Sequence, residues 1–251
     1  HHSAVEMYRA ELEKFKGRLE EHFGVTITGE ALAEAIQVYD HTRSLLRQLY
    51  ELRKADAPLI SGAESLAVVT AGMVMRKDEY NRLLEQLLVE LKERGVARKG
   101  RARILVSGSI LINPAEIGVI EDLGGVVVAD DLCTGSRYFW DSVKPDGDAM
   151  GYLANLAQRY LSALPCARMF SQQRRYEHIG RLVKEYRVDG IVFSAMKYCD
   201  PWLYEYPRSA SRFEQLGLPH LRIEREYALT GVGQMQTRVG AFLEMLSLVE
   251  A

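Results

Sequence analysis

Four short apolar runs in the second part of the chain, Ile104-Leu105-Val106-Ser107-Gly108, Gly125-Val126-Val127-Val128-Ala129, Gly190 to Ser194 and His220 to Glu224, are separated by segments of helical period. Strands that are apolar on both faces must be covered on both sides, and helices between them do this in a parallel sheet. The right-handed crossover rule then makes the fold α/β and doubly wound, with about four parallel strands. The covering helices are expected at Glu116–Leu123, opened by Asn113-Pro114, around Tyr152–Leu161 and Tyr176–Tyr186, near Ser209–Leu216, and from Met235 to Leu248. A polar excursion from Asp130 to Gly151 follows the second strand.

A helical region precedes the sheet. Apolar residues recur at three and four through Val5, Tyr8, Leu12, Phe15 and Leu19, through Leu32, Ile36, Tyr39, Leu46 and Tyr50, and from Tyr80 to Leu91. Gly24 is expected to end the first helix and Thr28-Gly29-Glu30 to open the second. Pro58 with Gly62 should close that one before a shorter helical segment near Ala63–Ala71. Residues 1–99 thus read as a helical region and 100–251 as a parallel α/β domain. The sequence begins His1-His2-Ser3 without a methionine, which reads as a tag remnant or as an internal start within a longer protein.

In a parallel sheet all carboxyl ends meet at one edge, where open α/β folds bind ligands. That edge should gather Ser107-Gly108-Ser109, Asp130 to Arg137, Ser194 to Asp200 and Glu224 to Gln234, and with them Cys133 and Cys199. Pro201 is expected to interrupt regular structure and hold Cys199 on a fixed turn, well placed to bind a metal. Cys133 stands in a polar, turn-forming context where two aspartates oppose thiolate formation and a metal would override them. Cys166, in Leu164-Pro165-Cys166, lies in a helix connection, where a structural role is as good a reading as a chemical one. The cysteines are far apart and form no Cys-x-x-Cys pair, which excludes a zinc knuckle or a local ferredoxin motif.

The formal charge of -2, from 32 basic and 34 acidic residues, provides no field to hold DNA or RNA. No run of about 18 apolar residues exists to span a bilayer and no secretory signal is seen, so the expected location is cytoplasmic. Three scattered cysteines are too few for a disulfide framework. Gly231-Val232-Gly233-Gln234 follows a strand and opens a helix whose amides could face an anion, but no dinucleotide fingerprint or Walker lysine loop follows the first strand. Ser107, Ser109 and Ser194 stand at strand ends without a nucleophile elbow. His22, His41, His178 and His220 have no partner spacing, and no role is assigned to them.

Taken in order, Asp130-Asp131-Leu132-Cys133-Thr134-Gly135-Ser136-Arg137-Tyr138-Phe139-Trp140, Leu164-Pro165-Cys166, Val188-Asp189-Gly190-Ile191 through Lys197-Tyr198-Cys199-Asp200-Pro201, and Gly233-Gln234-Met235-Gln236-Thr237-Arg238 resemble the 2-hydroxyacyl-CoA dehydratase and benzoyl-CoA reductase family. Ile27-Thr28, Tyr50 to Lys54 and Pro58 to Gly62 in the helical part are similar to it as well. The resemblance implies a cytoplasmic, oxygen-sensitive lyase or reductase of anaerobic metabolism, built as a heterodimer of related subunits that each hold a 4Fe-4S cluster. It further implies an ATP-dependent activator protein that injects one electron, and an acyl-CoA substrate that loses its 2-hydroxyl through a ketyl radical anion. Cys199 matches the family's late cluster ligand, and Cys133 and Cys166 match family positions, making all three cofactor-binding candidates. The other two ligands are expected from an additional amino-terminal half that this sequence lacks. Gln234 and Arg238 are candidates for substrate or phosphate binding. The rival readings are a noncatalytic assembly module and a small-molecule or nucleotide-binding α/β domain that uses the Gly231–Gly233 loop.

Overall fold

The structure, a computed structural model, describes residues 2–95, 100–144, 148–227 and 231–249. Four helices come first: α1 (His2–Phe23), α2 (Gly29–Glu51), α3 (Gly62–Val74) and α4 (Lys77–Arg94). Gly24 ends α1 in the left-handed region at φ 63°, and the Thr28 side chain caps α2 by accepting the Ala31 N–H. Gly62 does not close α2, which already stops at Glu51. It opens α3, because Ser61 and Glu64 cap each other's backbone reciprocally, and a Cβ on Gly62 would collide with Val127.

The α/β part follows as β1 (Ala102–Gly108), α5 (Pro114–Asp122), β2 (Gly125–Asp131), the single turn α6 (Ser136–Phe139), α7 (Ala149–Ser162), α8 (Gln173–Glu185), β3 (Gly190–Met196), α9 (Asp200–Gln215), β4 (His220–Arg225) and α10 (Val232–Val249). The strands are all parallel, in the order β2-β1-β3-β4. Helices α5 and α10 cover one face through Ile117, Ile120, Val239, Phe242, Leu243 and Leu246. On the other face lie Ile179 and Leu182 of α8 and Trp202 and Phe213 of α9, in one apolar cluster with Leu46, Leu49 and Tyr50 of α2 and Tyr80, Leu84 and Leu88 of α4. The amino-terminal helices therefore share the sheet's own core, each large side chain there contributing about 1.5–3 kcal/mol. Helix α1 supplies no residue to either cluster among the described residues and lies along α7, where the Tyr8 and Tyr160 rings meet edge-on at 6.5 Å.

Two boundaries differ from expectation. Strand β2 runs on through Asp130 and Asp131, so the polar segment begins after them; both carboxylates are buried because arginines from other elements reach them. Helix α9 starts at Asp200, well before Ser209. Pro201 lies in its first turn, where a missing N–H costs nothing, so this proline opens a helix instead of interrupting regular structure. Because the connection from β1 runs to β2 on one side while β3 lies on the other, the carboxyl ends of β1 and β3 form the topological switch point.

Candidate functional site

At the switch point the backbones of β1 and β3 come very close. Gly108 sits at φ 142°, and a Cβ there would fall on the Ser194 carbonyl, so only glycine fits. The Ser109 N–H donates to that carbonyl at 3.0 Å and the Ser109 hydroxyl accepts from the Met196 N–H at 2.8 Å, which locks the two strand ends together.

Cys133 follows β2 on a turn closed by the Gly135 N–H on the Leu132 carbonyl, and the Thr134 hydroxyl pins this turn to the Leu111 carbonyl. Cys199 follows β3 as the residue before α9. Its N–H donates to the Met196 carbonyl at 3.1 Å, and its own carbonyl accepts from Trp202 at 3.0 Å and Leu203 at 3.1 Å. Tyr198 turns the chain there with φ 64° and leaves its ring in solvent. Both cysteines thus follow carboxyl strand ends, as the parallel topology requires. Cys166 lies in the α7–α8 connection, near enough to Cys133 for each thiol to shift the other's pKa. Cys166 and Cys199 pack on the same apolar cluster, and all three thiols are free and half-buried.

The two thiols are shifted in opposite directions. Interaction with Cys166, together with burial, holds the Cys133 proton on and raises its pKa, while interaction with Cys133 pushes that of Cys166 down. The Arg137 guanidinium favours thiolate at both. Among the described residues no three His, Cys, Asp or Glu side chains stand close enough together to hold a single metal ion.

Arg137 ties the site together. Its Nη2 donates to the Gly108 carbonyl at 2.7 Å and reaches Cys133 Sγ at 3.3 Å, its Nη1 lies 3.5 Å from Asp131, and its guanidinium stands 4.6 Å from the centre of the buried Trp202 ring. Its Nε and Nη1 have no hydrogen-bond partner among the described residues. Arg175 also stacks on Trp202, at 4.8 Å, and bonds Asp131 at 3.3 Å, Glu205 at 3.2 Å and Ser209 at 3.0 Å. Asp131 further accepts from Ser107 at 2.8 Å. Its neighbour Asp130 takes the Tyr50 hydroxyl, Arg53 at 3.3 Å and the Ser136 N–H at 2.7 Å. The Ser136 hydroxyl lies 3.2 Å from Nε2 of His178, whose burial lowers its pKa to about 4 and keeps it neutral.

Beside these groups, at the end of β4, a cleft of about 180 Å³ is lined by Glu116, Lys197, Arg225, Gln234 and Arg238 among others. Arg225 pairs with the buried Glu116 at 3.1 Å and donates to the Ser194 hydroxyl at 3.0 Å. Burial raises the Glu116 pKa and the Arg225 charge opposes that rise. Arg238 donates to the Arg222 carbonyl at 2.6 Å, and Gly231, at φ 75°, precedes α10. The structure therefore brings Gln234 and Arg238 together on this cleft. Residues 228–230 of the same connection lie outside the described residues.

Sequence reasoning placed Cys133 and Cys199 on this edge and named Cys166 as a candidate through the family resemblance alone; it gave no role to Arg137, Arg175, Trp202 or His178. An Asp-Asp step closing an apolar run, with an arginine four residues after Cys133, was the available clue to a buried ion network.

Fold and site together define a doubly wound α/β protein with thiols gathered at its switch edge. The family model described as 2-hydroxyglutaryl-CoA dehydratase, D-component, matches residues 1–246, and the chain belongs to that family. It is 32% identical to the putative dehydratase YjiM of Escherichia coli (strain K12) over 96% of the chain and 63% of that protein. It is 31% identical to the beta subunit of (R)-2-hydroxyglutaryl-CoA dehydratase of Acidaminococcus fermentans over 92% of the chain and 62% of the relative, and 28% identical to a benzoyl-CoA reductase subunit of Thauera aromatica over 96% and 63%. The chain thus spans less than two thirds of the length of these relatives. Among the described residues no helix is long and apolar enough to cross a membrane.

Proposed function

We propose that the chain forms part of a subunit of a 2-hydroxyacyl-CoA dehydratase or benzoyl-CoA reductase type enzyme, in which Cys133, Cys166 and Cys199 hold a 4Fe-4S cluster in place of the ligands expected from a further amino-terminal half. The observation that carries this reading is that Cys133 and Cys199 both follow carboxyl strand ends of the parallel sheet, with Cys166 near enough to Cys133 to shift its pKa. Thiolates are the donors such a cluster takes, and it is wider than a single ion, so its ligands need not stand within reach of one metal ion. The buried Arg137, with two donors lacking hydrogen bonds, compensates the negative charge that thiolates and cluster would bring. When bound, the cluster would supply a single low-potential electron to an acyl-CoA thioester.

The chain's own residues prepare the edge for that chemistry. Asp131 orients Arg137 and Arg175, and Trp202 and Phe139 belong to the apolar cluster against which Cys166 and Cys199 pack. Lys197, Gln234 and Arg238 on the adjoining cleft receive the polar part of the acyl-CoA. A homologous second subunit and an ATP-dependent activator complete the cytoplasmic enzyme in this reading.

Anaerobic reconstitution of the chain with ferrous iron and sulfide, followed by iron analysis and a visible spectrum, tests the proposal. Iron and colour should be taken up, and Cys133→Ala, Cys166→Ala and Cys199→Ala should each lower the bound iron. Uptake unchanged in all three variants would refute the ligand assignment.

A further inference from the structure

We infer that an apolar hollow beside the β1–α5 loop takes the side chain of the acyl group, and that it selects an apolar side chain about the size of a phenyl ring. The inference rests on the acyl-CoA reading and names the kind of acyl group within it. The hollow has a volume of about 160 Å³, and its apolar walls are Ile110, Ile112, Met196 and Tyr227. It lies at the switch point, because Ile110 and Ile112 follow β1 and Met196 ends β3.

Ile110, Ile112 and Tyr227 are exposed, at 37%, 47% and 74%. A single exposed apolar side chain needs no explanation, but three that converge with Met196 on one concavity form a surface suited to an apolar ligand. The concavity is preformed. The Arg225 guanidinium donates to the Ile110 carbonyl, the Leu111 N–H donates to the Thr134 hydroxyl at 3.2 Å, and the Met196 N–H donates to the Ser109 hydroxyl at 2.8 Å. A ligand entering it has little chain to order.

The polar side chains of the lining are engaged elsewhere. Asn113 Oδ1 caps α5 by accepting the Ala115 N–H at 3.0 Å, and Arg225 serves the Ser194 hydroxyl at 3.0 Å and Glu116 at 3.1 Å. What remains for a ligand is shape and apolar surface. A dry cavity of about 150 Å³ lined by aliphatic and aromatic side chains holds a benzene molecule, so a phenyl ring or a branched chain of similar bulk fits here. A side chain ending in a carboxylate is unsuited on two counts. It would lose its water against isoleucine and methionine, and it would face Glu116, whose buried Oε2 has no hydrogen-bond partner among the described residues.

Continuity with the polar cleft decides the occupant. Glu116 and Arg225 line both spaces, so one ligand can lay its polar part along Lys197, Gln234 and Arg238 and its apolar end between Ile110 and Met196. The Met196 carbonyl accepts the Cys199 N–H at 3.1 Å, which sets the acyl group beside the turn that carries this thiol.

The test measures, by calorimetry on the whole chain, the binding of coenzyme A and of its acetyl, glutaryl and 3-phenylpropanoyl thioesters. Isotope-labelled methionine methyl groups report the location by nuclear magnetic resonance, with the Met196 signal assigned through Met196→Leu. The phenylpropanoyl thioester should bind about tenfold tighter than acetyl-CoA and move the Met196 signal, and glutaryl-CoA should bind no tighter than acetyl-CoA. Ile112→Trp, whose indole would occupy the hollow, should abolish the preference, with circular dichroism reporting that the variant is folded. Equal affinity for the three thioesters, a preference for glutaryl-CoA, a preference that survives Ile112→Trp, or binding that leaves the Met196 signal unmoved would each overturn the inference and leave the acyl-CoA reading in place. Failure of coenzyme A and of all three thioesters to bind would count against the acyl-CoA reading itself, and the inference would fall with it.

Discussion

Where β2 ends, charge is buried and pairs between distant elements; where β4 ends, only the pair of Arg225 with Glu116 among those described is of that kind, and the others are exposed and pair along the chain or across a neighbouring loop. Asp131 in β2 meets Arg137 after α6 begins and Arg175 in α8, and Arg175 goes on to Glu205 in α9, all within the core. At the other end Arg222 pairs with Glu224 two residues away, and Lys197 with Glu226 at 2.6 Å, each pair open to solvent. A buried ion depends on every partner, because none can be replaced by water. An exposed one is screened and readily exchanged, which suits a surface that must release a polar ligand. The same sheet edge is therefore a rigid interior at one end and an adaptable cleft at the other.

The largest effect should come from Asp131→Ala, which leaves two guanidiniums in the core without their shared carboxylate. Urea denaturation should show a loss of about 3–5 kcal/mol. The comparison fails if this substitution is no more costly than one at the cleft.

A smaller effect of the same kind should be read through pH. His178 is buried as the neutral imidazole with its pKa lowered from 6.5 to about 4. Unfolding frees an imidazole that binds a proton below 6.5, whereas the folded one does not until about 4. The unfolded state therefore holds more protons in that window. His178 leaves stability intact above 6.5 and removes up to about 3 kcal/mol as pH falls to 4. Urea midpoints measured above and within the window should show this slope, and His178→Gln should flatten it. An unchanged slope in the variant would assign the pH dependence to other groups.

The smallest effect belongs to the exposed end. Lys197→Ala should shift the urea midpoint only slightly, since its pair with Glu226 is solvated. A shift as large as that of Asp131→Ala in the same denaturation experiment would mean that the cleft matters to the fold as much as the buried network does.

The parallel sheet was readable because its signal is local: Val126-Val127-Val128 and Ile191-Val192-Phe193 have no polar face, and that alone calls for cover on both sides. Caps such as Thr28 and Asn113 were readable for the same reason. Asp130 and Asp131 were misread as loop because their burial is stabilised by Arg53, Arg137 and Arg175, which no window of sequence brings together. The start of α9 was missed because a proline at the first turn and a proline that breaks a helix look alike until the cap is seen. Cys199 and Cys133 could be placed from strand ends alone. The nearness of Cys166 to Cys133 depends on where the connection between α7 and α8 runs, a tertiary fact with no local trace.

The ring contacts give this chain two optical reporters. It has only Trp140 and Trp202 as tryptophans. Trp140 meets the His178 imidazole edge-on with ring centres 4.5 Å apart, and Trp202 is stacked by Arg137 and Arg175 with almost no water around it. Imidazolium quenches indole emission more strongly than imidazole, so the light from Trp140 should dim as His178 takes up its proton. Trp202 should emit at the blue end of the tryptophan range until the guanidiniums beside it shift. Single-tryptophan forms of the protein would then follow the two halves of the buried network by colour and brightness, without any added label.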